Sequence, residues 1–176
     1  MKLLLVNGSL KEKDAASAVL DAAAEKLISF KAEIERFWPI QSENLICSGC
    51  GACKGSGMCV YDPRGLDFVK AAAASDGLLF VLPAGLFGLD VPVRNFLERV
   101  KALTRKQSRS PVFGKPAVAV ILCRLGGGKK AAQQAEDFLS GLGLCLPAAG
   151  EVPVLSGDDE AAAQTLFRLA KNHFIT

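Results

Sequence analysis

The chain is poor in the residues on which most acid–base and nucleophilic enzymes rely. It has one histidine, one tryptophan and one tyrosine in 176 residues, and the histidine, His173, stands three positions from the C-terminus. A catalytic relay built on histidine is thereby excluded, because chain ends are usually mobile; His173 reads as a solvated tail residue. Charge of one sign is also lacking. A net charge of +3 is too small to mark a nucleic-acid partner. The only local excess is Arg99, Lys101, Arg105, Lys106, Arg109 and Lys115, with no acid between them. It reads as a solvated helix C-terminus and loop, where cations suit the helix dipole, ahead of a docking site for an anion. Long apolar runs are missing as well. "MKLLLVNGSL" is apolar only briefly and "GLLFVLPAGLFGL" is too short and broken to cross a bilayer, so neither a leader nor a membrane span is expected. These absences point to a cytoplasmic protein, where thiols stay reduced and a disulfide framework is not expected.

What is present is a regular alternation. "KLLLV", "LLFVL" and "AVAVILC" are continuously apolar, as strands buried on both faces are. "AEIERFW" alternates as a half-exposed strand, and "CLPAAGEVPVL" is a last strand region interrupted by proline. Helix-period segments lie between them. Asp14 or Ser17 can cap a helix burying Val19, Ala23, Leu27 and Ile28; "GLDFVKAAAA" buries Leu66, Val69 and Ala73. Asp90 and Pro92 start a helix burying Phe96, Val100 and Leu103. Another carries Ala131, Ala135, Phe138, Leu139 and Leu142, and "DDEAAAQTLFRLAKN" closes the chain. Five strands alternating with helices predict one α/β domain over residues 1–176. The expected form is a doubly wound five-stranded parallel sheet of flavodoxin-like order 2-1-3-4-5, with helices on both faces.

Ligands of such sheets bind at the carboxyl ends of the strands, which directs attention to three loops. After the first strand, Gly8, Ser9, Lys11 and Ser17 lead into a helix N-terminus, a place suited to a phosphate. After the third, Pro83 ends the strand and Ala84, Gly85, Leu86 and Phe87 form a small apolar loop, either packing or a bed for a flat ligand. After the fourth, Arg124, Gly126 and Gly127 precede a helix, and the glycines permit a turn or a close backbone approach.

The stronger signal is "CSGCGACKGSGMC". Cys47, Cys50, Cys53 and Cys59 are spaced C-x2-C-x2-C-x5-C, close to spacings that hold iron–sulfur clusters, although the proline common after the last cysteine is absent. Structural zinc more often uses two C-x2-C pairs set further apart. A cluster, a zinc ion and unmetallated thiols all remain open on spacing alone.

Taken together, "NGSLKEKDAASAVLDAAAEKL" and the run from Cys47 to Val100 resemble the NAD(P)H-dependent FMN reductase family, with the nearer likeness to iron–sulfur flavoproteins. The resemblance covers roughly the first 105 residues. It implies FMN, with Ser9, Lys11 and Ser17 around its phosphate, residues 83–87 bordering the ring and residues 124–127 approaching from the other side. It also implies a four-iron four-sulfur cluster on the four cysteines, NAD(P)H or a ferredoxin-like electron donor, a small-molecule or protein redox partner, and a homodimer or larger assembly. Two motifs depart from the family. Ala15-Ala16 stand where asparagine and a hydroxyl residue are usual, and Leu82-Pro83-Ala84-Gly85 replaces a hydroxyl–proline–x–tyrosine loop. Such lost contacts are each worth about 1–3 kcal/mol. The expected activity is therefore an FMN-dependent oxidoreductase carrying a cluster. A cluster-free flavin reductase and a flavodoxin-like module without FMN are the alternatives.

Overall fold

The computed structural model describes residues 1–11, 13–40, 47–104, 110–124, 126–147, 154–155 and 159–175. Strands β1 (Lys2–Asn7), β2 (Glu33–Phe37), β3 (Gly77–Gly85), β5 (Ala117–Cys123) and β6 (Val154–Leu155) pair in parallel in the order β2-β1-β3-β5-β6. Counting parallel strands alone, this is the expected 2-1-3-4-5. A sixth strand, β4 (Gly88–Leu89), was not foreseen; it turns back antiparallel on the end of β3.

The continuous apolar strands follow from burial on both faces. Leu4 and Val6 of β1, with Leu78, Phe80 and Leu82 of β3, face one core; Leu3, Leu5, Leu79 and Val81 face the other. Helices α3 (Arg64–Ala74), α4 (Val91–Thr104) and α5 (Gly128–Gly141) supply the first core. Helices α1 (Ala15–Ile28) and α6 (Asp159–Phe174) supply the second. Phe68 anchors the first side against Phe37, Phe80 and Phe96, with ring centroids 5.3–6.2 Å apart.

Several expectations are corrected. Ile28 closes α1 but is 54% exposed, because the helix turns its last residue away from the sheet. On α3 the buried stripe is Gly65, Phe68, Val69 and Ala72 rather than Leu66, Val69 and Ala73. Gly65 decides this phase: a Cβ there would lie 2.7 Å from Leu103, so glycine lets α3 pack directly on α4. Pro83 does not end β3, which continues through Gly85. The proline is tolerated because β1 pairs with β3 only as far as Val81, so its missing N–H breaks no bond on that side.

The basic run is not a solvated patch at either end. Arg99 is 2% exposed and paired with Asp62, while Lys115 donates its ammonium to the carbonyls of Ala73 and Ser75. Arg105, Lys106 and Arg109 lie outside the described residues. His173 is half-buried in the last turn of α6, its Nε2 3.4 Å from the Cys145 carbonyl, rather than in a free tail.

Candidate functional site

The loop from β1 into α1 is organised by Asp14. Its carboxylate caps the helix, accepting the Ala16 N–H at 2.9 Å and the Ser17 N–H at 3.2 Å, and it also takes the hydroxyl of Ser9. Ser17 completes a capping box: its hydroxyl accepts the Asp14 N–H at 2.8 Å and donates to the Asp14 carbonyl at 2.8 Å. Ser9 is buried, with its N–H on Asn7 Oδ1 at 2.9 Å and its Oγ accepting from the Lys11 N–H at 3.1 Å. The indole N–H of Trp38 fixes the Ser9 carbonyl at 2.7 Å, tying the end of β2 to this loop. The side chain of Lys11 is exposed.

The loops after β3 and β5 meet. Leu86 and Phe87 form the tip between β3 and β4 and are 61% and 82% exposed. Gly126 and Gly127 adopt φ of 101° and 77°, and a Cβ on Gly127 would stand 2.2 Å from the Gly85 carbonyl oxygen. Glycine there is what allows the two loops to touch. Arg124 points outward, 3.6 Å from Asp159, and Leu125 lies outside the described residues. Asp90 was not singled out as a site residue by the sequence. Burial raises its pKa from the ordinary carboxylate value, while a hydrogen bond from the Gly85 N–H opposes the rise. The sequence signal was only a helix cap; that β4 folds it back onto residue 85 is visible in the structure alone.

The four clustered cysteines share one cavity of about 410 Å³ with Tyr61, Arg99 and Leu103. Gly49, Gly51 and Gly57 at positive φ allow the loop to coil around the single turn α2 (Cys53–Ser56). Cys47 and Cys50 are exposed, Cys53 and Cys59 half-buried, and all are free thiols. Among the described residues, no three histidine, cysteine or acidic groups converge closely enough to hold a metal ion. The four thiols line this cavity without converging on a common point. Arg99, buried in its ion pair with Asp62, contributes to the cavity wall.

The cavity lies against Arg99, Ala102 and Leu103, the far half of α4. At a 1.5 Å rise per residue these stand about 13–20 Å along the helix from Asp90. The cavity and the loop at residues 83–87 thus lie toward opposite ends of α4.

For FMN the fit is divided. At the ring end, Leu86, Phe87 and Gly126 are exposed and leave the rim open. At the phosphate end, the hydroxyls of Ser9 and Ser17 and the first free N–H groups of α1 are already engaged with Asp14.

A parallel 2-1-3-4-5 sheet with its connecting loops at the carboxyl rim defines a flavodoxin-like fold. The sequence profile of the NADPH-dependent FMN reductase family matches residues 1–159, and the chain belongs to that family. An iron–sulfur flavoprotein of Archaeoglobus fulgidus is 25% identical over 154 residues, 88% of this chain and 66% of that protein. The chain thus spans just under two thirds of that relative's length. Among solved structures, RosB with bound 8-demethyl-8-formylriboflavin-5′-phosphate superposes with a TM-score of 0.72 at 15% identity, covering 98% of this chain and 77% of RosB. A flavodoxin from the domain Archaea gives a TM-score of 0.61 at 10% identity, covering 98% of each chain. Among the described residues, no helix is long and apolar enough to cross a membrane.

Proposed function

We propose that this chain is an FMN-dependent oxidoreductase that takes electrons from NAD(P)H, or from a ferredoxin-like donor, at the rim formed by residues 83–87 with Arg124, Gly126 and Gly127. A cluster on Cys47, Cys50, Cys53 and Cys59 then relays them singly to a small-molecule or protein acceptor. The single observation that carries this reading is that all four cysteines of the C-x2-C-x2-C-x5-C run line one cavity. Flavin, when bound, supplies the hydride chemistry, and a cluster supplies one-electron steps.

The protein's part is positional. The backbone of Pro83, Ala84, Gly85, Leu86 and Phe87 borders the ring on one side, and Arg124, Gly126 and Gly127 close from the other. Ser9, Lys11 and Ser17 surround the 5′ end. The half-buried Asp90 carboxyl, hydrogen-bonded to Gly85, is placed to hold a proton beside the ring edge. Phe87, 82% exposed, leaves apolar surface for a redox partner or a second copy of the chain to cover. We place this chemistry in the reducing cytoplasm, where the thiols remain free for metal.

Anaerobic purification followed by iron and acid-labile sulfide analysis tests the cluster. Iron and sulfide in equal, near-stoichiometric amounts, lost in Cys50→Ala with flavin retained, is the expected result. Protein that binds flavin with no iron or sulfide would leave a cluster-free flavin reductase.

A further inference from the structure

We infer that Asp14 removes the 5′-phosphate from flavin selection, so that this site takes riboflavin as readily as FMN. The inference rests on the flavin reading above and deepens it by naming the substrate class.

Two observations carry it. First, the Asp14 carboxylate sits where a phosphate at this helix would sit. One oxygen holds the N–H groups of Ala16 and Ser17, and the other takes the buried Ser9 hydroxyl. A helix N-terminus attracts a phosphate through those free donors and the positive end of its dipole, and here a carboxylate of the chain has taken both. The remaining hydroxyl, on Ser17, is turned onto Asp14 by the capping box. Second, the loop brings no net charge to a dianion. Lys11-Glu12-Lys13-Asp14 sums to zero, and Lys11 and Lys13 are exposed, where solvent and salt weaken their pull. An incoming phosphate must either expel the Asp14 carboxylate from three hydrogen bonds or lie against its negative charge. A flavin ending in a hydroxyl meets neither obstacle, while its ring finds the same bed at residues 83–87.

Apo-protein titrated with FMN and with riboflavin, followed by flavin fluorescence at low salt, reads the effect. The wild type is expected to bind the two within about threefold, a difference below 1 kcal/mol on the usual conversion. Asp14→Gly frees the donors at the cost of only a few tenths of a kcal/mol in capping. It should tighten FMN about tenfold or more and leave riboflavin within about twofold. Asp14→Asn keeps a side-chain cap but removes the charge, and should give a smaller gain in the same direction. Thermal melts of both variants verify folding. A wild type that prefers FMN by more than about tenfold overturns the inference. So does an Asp14→Asn variant whose FMN affinity is unchanged or weaker. If neither flavin binds the wild type or either variant, the flavin reading itself is lost and the inference with it, an outcome distinct from the other two.

Discussion

Asp90 and Asp62 show how one residue type takes opposite roles according to its surroundings. Burial raises the Asp90 pKa in the folded chain, so in the window above 3.8 the native state binds more protons than the unfolded state. Stability from this group is therefore full at low pH and falls as pH rises through the raised folded value. Asp90→Asn, which keeps an acceptor for the Gly85 N–H, should be more stable than wild type at neutral pH, with the gap closing on acidification. Urea titrations at several pH values check this, and a gap independent of pH would contradict it. Asp62, by contrast, is 3% exposed, with one carboxylate oxygen on Arg99 and the other accepting the Arg64 N–H at 3.0 Å. Asp62→Ala leaves that guanidinium buried without its carboxylate and should cost about 3–5 kcal/mol. The paired replacement Asp62→Leu with Arg99→Met should recover most of the loss, measured by the same unfolding curves. Arg99 in sequence looked like the first cation of a basic stretch. Nothing local distinguishes it from Lys101; the partner that buries it is 37 positions away.

At the scale of elements, β3 and its returning hairpin do most to shape the site. The sequence marked Pro83 as a strand end, since proline commonly stops a central strand. The sheet permits it because β1 has already stopped at Asn7, leaving that edge of β3 open. The strand then runs on to Gly85, reverses through Leu86 and Phe87, and is held by Gln134 of α5, whose Oε1 accepts the Leu89 N–H at 2.8 Å. Gly127 completes the arrangement, since its φ of 77° and its contact with the Gly85 carbonyl both exclude a side chain. Gly127→Ala should destabilise the fold by roughly 1–3 kcal/mol through backbone strain, with the loops forced apart. Chemical denaturation measures the loss, and proteolysis near Leu86 should accelerate. The helical periods were legible in most elements, as in α4, where Phe96, Val100 and Leu103 are buried as expected. The stripe on α3 is not legible in the sequence because its decisive residue, Gly65, has no side chain for a hydrophobic pattern to register.

For the whole molecule, the thiol cavity lies against the far half of α4, while the rim proposed for flavin lies at its start. Changes more than about 7–10 Å apart with no shared partner usually add independently. Cys50→Ala should therefore alter flavin affinity by no more than about twofold while removing any cluster. Flavin titration of the variant reads this, and a large loss of flavin binding would mean that the two sites are coupled.

The sequence by itself determined the doubly wound sheet and its strand order, because strands buried on both faces must be continuously apolar and the helices between them must cover both sides. It also determined that four thiols belong to one short loop, because spacing is a local property. Only the tertiary structure decided that these thiols ring a cavity on the far half of α4, that Arg99 is buried, and that β3 folds back to seat Asp90 against Gly85. It likewise decided between Asp14 and Ser17 as the cap of α1, and showed that Asp14 takes the donors a phosphate would need. Each of these depends on which distant group fills a position first, and that competition is settled by packing and hydrogen-bond satisfaction across the whole chain.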